Sequence, residues 1–93
     1  MAVRVSPHPN DGPLSAQAAT VTVCVSAPGW TTLAVVIRTP DGTLVPIAHD
    51  LLSDGSTTLH LPLPPGGVPS GSRLILKLVE PSGQKTVLHY KLL

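Results

Sequence analysis

Proline and glycine punctuate this chain so densely that no long helix fits between them: 11 prolines and eight glycines fall among 93 residues. Proline lacks the amide donor of the helical ladder and its ring clashes with the preceding turn, so helices are expected to be absent or one turn long. Between these breaks stand short runs of Val, Ile and Leu with many neighbouring Thr. Side chains branched at Cβ suit a pleated, half-buried surface, and the chain reads as all-β.

Period-two alternation locates the strands. Val3 and Val5 alternate with Ala2 and Arg4 ahead of Pro7 and Pro9, as in a short edge strand, and Asn10-Asp11-Gly12-Pro13 reads as a turn. Residues 19–26 alternate cleanly, with Ala19, Val21, Val23 and Val25 on one face and Thr20, Thr22, Cys24 and Ser26 on the other. After Ala27-Pro28-Gly29, residues 31–39 form a third strand with Leu33, Val35 and Ile37 on one side. Pro40-Asp41-Gly42 is a hairpin signal, because proline presets the first turn angle and glycine accepts a positive φ.

The fourth strand is expected over residues 43–49, a polar loop over 50–55 and a fifth strand over 56–62. Residues 62–71, rich in proline and glycine, should wrap one end of the domain. Residues 73–80 place Leu74, Leu76 and Leu78 inward. Pro81-Ser82-Gly83 repeats the earlier hairpin chemistry, and residues 85–92 return with Leu88, Tyr90 and Leu92 on one face. Seven short strands separated by turns predict a single domain over residues 1–93, a seven-stranded antiparallel immunoglobulin/fibronectin-like β-sandwich. The same pattern also permits closure into a small barrel. Surface scaling for 9.6 kDa gives about 5,100 Å² folded against about 13,900 Å² unfolded, enough burial for one modest core.

Composition narrows the role. With 12% charged residues and a net charge of +1, the chain is neither a solvated tail nor a basic nucleic-acid binder, and electrostatics are not expected to be its main means of recognition. One cysteine, Cys24, closes no intramolecular disulfide. The longest apolar run, residues 33–37, is far short of the ~20 residues of a membrane span, and no signal peptide or anchor is read. Three origins stay open: a cytoplasmic protein, a component assembled in a cell and released by lysis, or an extracellular domain excised from a longer secreted chain with Met1 as an added start.

Chemistry is sparse. No two of His8, His49, His60 and His89 stand at a spacing that unites them on one short element, and the last three fall on outward strand positions. Asp11, Asp41, Asp50 and Asp54 lie in turns, where aspartate bonds its own backbone, and too few acids surround Asp50 and Asp54 for a calcium loop. No Gly-x-Ser-x-Gly elbow occurs, and Pro65-Gly66-Gly67 lacks the lysine and the helix of a phosphate loop. Cys24 reads as a small space-filling thiol. No catalytic residue, metal, cofactor or small-molecule substrate is expected, and the chain is not read as an enzyme. Trp30 and Tyr90 are the only aromatics, too few for stacking on bases or sugars. Trp30, just after a Pro-Gly turn, either caps the end of the core or stands out as a partner anchor.

Two strands are apolar on both faces. The third carries Ala34 and Val36 opposite its inward residues, and the sixth carries Ile75 and Val79 opposite its leucines. In an immunoglobulin-like sandwich these strands are neighbours, so their outer residues join into one patch with Val87 beside it. Either that patch is a docking surface, or the stems of Arg38, Arg73 and Lys77 lie over it.

The succession Ser6-Pro7-His8-Pro9-Asn10, a Thr/Val strand, Val36-Ile37-Arg38-Thr39-Pro40-Asp41-Gly42, then Gly55, Pro69-Ser70-Gly71 and Lys91-Leu92-Leu93 resembles the immunoglobulin-like domains of flagellar hook-capping proteins and type IX secretion sorting domains. The resemblance implies a sandwich fold and an accessory role. Those families place an aromatic soon after the glycine matching Gly71, where this chain has Ser72-Arg73, and no sorting function is carried over. The expected role is a non-catalytic structural or adaptor module docking on a larger protein assembly or on copies of itself, such as a virion decoration or minor structural protein. The rival is an extracellular adhesion, sorting or binding domain. Neither expects a nucleic acid or a membrane as partner.

Overall fold

A computed structural model describes residues 3–12 and 14–93. Met1, Ala2 and Pro13, the last of which ends the expected 10–13 turn, lie outside the described residues. Among the described residues seven strands follow in chain order: β1 (Arg4–Ser6), β2 (Thr20–Ala27), β3 (Thr31–Arg38), β4 (Leu44–Leu52), β5 (Gly55–Pro62), β6 (Arg73–Val79) and β7 (Lys85–Lys91). One 3-10 turn, Pro9–Asp11, interrupts them, in keeping with the proline-limited helix content.

The strands form two antiparallel sheets, β1-β2-β5 and β4-β3-β6-β7. Their inward faces bury one core: Val21, Val23, Val25 and Leu61 from the first sheet meet Leu33, Val35, Ile37, Leu74, Leu76 and Leu78 from the second. Strict alternation makes this possible, because each second residue of β2, β3 and β6 is buried. The total exposed surface, 5359 Å², lies near the value expected for one core of this mass. Both Pro-x-Gly hairpins use one geometry. Gly42 and Gly83 take φ of 90° and 88°, and each donates to the carbonyl three residues back, Thr39 and Glu80, at 2.9 Å. That is a type I turn closed by a left-handed glycine, matched to strand twist.

The fourth strand departs from expectation. It runs on to Leu52, leaving Ser53 and Asp54 as the whole link to β5, so no loop spans 50–55. β4 pairs with β3, whereas β5 belongs to the other sheet, and the short link crosses between the layers. A β-bulge accounts for the difference: Val35 and Val36 face Ala48 and Pro46, and Ile47 has no counterpart. One extra residue reverses the in-out phase from that point, so the alternation that marks a strand breaks down. A smaller difference is Ala19, which is exposed and precedes β2.

Polar closures hold the ends. Residues 14–16 run alongside the C-terminal segment, with Leu14 donating to Lys91 at 2.8 Å, Leu93 to Leu14 at 2.9 Å and Ala16 to Leu93 at 2.8 Å. The expected wrap of residues 62–71 caps that end through buried Leu63 and Val68, and the Val68 amide donates to the Ala16 carbonyl at 3.1 Å. β1 is tied down from the opposite sheet: Tyr90 donates its hydroxyl to the Pro7 carbonyl at 2.6 Å, and the buried Glu80 carboxylate accepts the Val3 amide at 3.0 Å.

Candidate interaction surface

Cross-strand register assigns the outer residues of the larger sheet to rows. Val36 stands opposite Ile75, Ala34 opposite Lys77 and Thr32 opposite Val79. Beyond β6, His89 faces Ile75 and Val87 faces Lys77. Beyond β3, Pro46 faces Val36, His49 faces Ala34 and Leu51 faces Thr32. Residues directly opposite share a face, so Ala34, Val36, Ile75, Val79 and Val87 do lie on one surface. The first four are half-buried, whereas Val87 is 47% exposed. Lys77 sits in the row between Ala34 and Val87, a single cation inside an aliphatic area.

Leu51 joins this surface at 56% exposure, a residue the sequence placed in a loop. The signal that could have found it is the pair Leu51-Leu52 in a supposedly polar connection. Trp30 is 63% exposed and does not cap the core. Thr31 takes the inward position instead, fully buried, with its hydroxyl donating to the Gly29 carbonyl at 2.9 Å, and the bend at 28–30 leaves the indole outside.

The same face gathers charge. Arg38 stands opposite Arg73, and Arg73 opposite Lys91, a row of three cations across β3, β6 and β7. With Lys77 and Lys85, the face holds five of the six Lys and Arg, and none of the five acids occupies its rows. One cation, Arg4, against five acids leaves a formal charge of −4 on the rest of the chain. The near-neutral total that argued against electrostatic recognition thus conceals a separation created by pairing. The outward face of the smaller sheet is different: Thr20, Thr22, Ser26, Ser56 and Thr58 give it hydroxyls, with exposed Cys24 among them.

The titratable groups are dispersed. His60 lies on the hydroxyl face, where its Nδ1 pairs with the Thr22 hydroxyl at 3.2 Å. His49 and His89 share the cationic face but are separated by three strand spacings, about 14 Å. Among the described residues no group of three His, Cys, Asp or Glu converges as metal ligands would. Asp11 and Asp41 serve their own turns, accepting the His8 amide at 2.8 Å and the Thr43 amide at 3.0 Å, whereas Asp50 lies within β4 and not in the expected turn, its carboxylate accepting the Leu51 amide at 2.8 Å. The Thr39 hydroxyl also donates to Asp41, and it is chiefly this bond, with that of the Thr43 amide, that holds the carboxyl below its ordinary range. Burial, with a smaller contribution from the Asp11 charge, pushes the Tyr90 phenol up to about 12.

Two clefts open beside these elements. One of about 370 Å³ lies between β1 and β7 against Val3, Val5 and Leu88. Another of about 340 Å³ lies at the β3–β4 hairpin, where the Asp41 carboxylate is already engaged with its turn. Comparison with protein-family models, with curated proteins and with solved structures gives no match to this chain.

Proposed function

We propose that this chain is a non-catalytic docking module that joins a larger protein assembly through the outward face of β4-β3-β6-β7. The observation that carries the reading is the aliphatic area around Val36 and Ile75, adjacent in register and continued by Ala34, Val79, Val87 and Leu51. Apolar outer positions on neighbouring strands form a contiguous patch that a partner can cover, whereas isolated outer valines need no explanation. The strand order supports the finer reading of an immunoglobulin/fibronectin-like sandwich, with β3 and β6 as central neighbours. The likeness to hook-capping and sorting domains points to the same accessory role.

The turn-bound Asp11 and Asp41 and the dispersed histidines support the absence of catalysis from the reading. The test is the sedimentation of the untagged chain in an extract of its source. The native chain is expected in particles far larger than 9.6 kDa, and the double variant Val36→Lys, Ile75→Lys near its own mass with an unchanged circular dichroism spectrum. Co-sedimentation of the variant with the large particles rejects this face, and recovery of the native chain at its own mass rejects the docking role.

A further inference from the structure

We infer that the partner of this face is an acidic protein surface whose carboxylates engage Arg38, Arg73 and Lys91 while its aliphatic side chains cover Val36 and Ile75. The inference rests on the docking reading above and adds the chemistry of the occupant. Strand pairing sets the three cations side by side, about 5 Å between neighbours. Like charges directly opposite each other disfavour a sheet. None of the three side chains forms an ion pair or hydrogen bond with a described residue. An arrangement unfavourable in the free chain becomes favourable against carboxylates, which guanidinium groups bind in bidentate fashion.

The next row inward, Pro46, Val36, Ile75 and His89, has aliphatic side chains at its centre. Cations bordering an aliphatic area describe the complement of a protein surface in which acids rim an apolar centre. Single-stranded nucleic acid needs aromatic platforms, and neither aromatic residue belongs to these rows, Tyr90 being buried and Trp30 preceding β3. A duplex or a lipid headgroup would engage the cations but leave the half-buried valine and isoleucine without a role. A second copy of the chain does not supply this complement through its other broad face, which offers hydroxyls and no acid.

The test titrates the full chain, labelled with nitrogen-15, with a synthetic peptide of three Glu-Val-Glu-Gly repeats. Amide shifts are expected to concentrate on β3, β6 and β7. Affinity should fall about tenfold between low and 0.2 M salt. It should fall at least tenfold in the variant Arg73→Glu, which keeps or raises its melting temperature because the central glutamate then faces Arg38 and Lys91 and relieves the like-charge repulsion. The lysine counterpart of the peptide should not bind. No binding of the acidic peptide, or equal binding by the variant, overturns the inference. So does binding that prefers a DNA duplex or phosphatidylserine vesicles and is lost in the same variant, which would assign the row to phosphate. If the peptide fails while Val36→Lys, Ile75→Lys still releases the chain from its assembly, the acidic partner is rejected and the docking face is retained.

Discussion

Replacing Tyr90 by phenylalanine isolates the bond that ties the N-terminal edge strand to the larger sheet. The ring stays buried against the same core, and only the hydroxyl that donates to the Pro7 carbonyl at 2.6 Å is lost. At pH 8 the variant should be less stable by about 1 kcal/mol, the net value of a neutral hydrogen bond. The unfolding entropy of a chain this long is about 0.2 kcal/mol per kelvin, so the melting temperature falls by about 5 °C. The phenol ionises near 10 when unfolded and near 12 when folded. A raised value means that the fold favours the neutral form, so this stabilisation is whole below pH 10 and is withdrawn as pH climbs through 12.

At pH 11 the wild-type chain should therefore have lost about 1.4 kcal/mol from this group, and the variant nothing. Lysine titration affects both proteins alike and cancels in the difference. Urea unfolding followed by circular dichroism at pH 8 and pH 11 should show the wild-type advantage of about 1 kcal/mol disappear or change sign. A gap that stays constant across this range would refute the assignment of the raised phenol to the folded-state burial.

Other substitutions probe the rest of the fold. Leu76→Ala, at the fully buried centre of β6, should cost about 2–5 kcal/mol in urea unfolding, whereas Leu51→Ser on the outward face should stay within about 0.5 kcal/mol. Gly67→Ala should cost more than Gly42→Ala. Both have positive φ, but a Cβ at Gly67 would meet the Ala16 carbonyl oxygen at 2.8 Å, while one at Gly42 meets nothing within 4 Å; melting temperatures should order accordingly. Asp41, held below its ordinary value of 3.8, stabilises the β3–β4 hairpin above that pH and releases it as pH falls through the lowered value. The Thr43 amide resonance should titrate with a midpoint below 3.8, and Asp41→Asn should abolish the transition.

Much of the candidate surface was legible because two-sided apolar strands stand out against strict alternation. Ala34, Val36, Ile75 and Val79 are outward residues in strands whose inward partners are unmistakable. Leu51 was not legible, since the unpaired Ile47 shifts the phase of β4 and Asp50 and Ser53 give its end the polarity of a loop. Trp30 was undecided in sequence because a turn residue has no periodicity to assign it a side.

The charge pattern belongs wholly to the tertiary structure. Arg38, Arg73 and Lys91 lie far apart along a chain with a net charge of only +1, and nothing in their local surroundings links them. Sequence alone determined the elements, because alternation, branching at Cβ and Pro-x-Gly turns act over a few residues. Only the pairing of β3 with β6 and of β6 with β7 decided which side chains became neighbours, because register is set by long-range packing of the buried faces. That choice turned three separate cations into one row and two strands' outer residues into one surface.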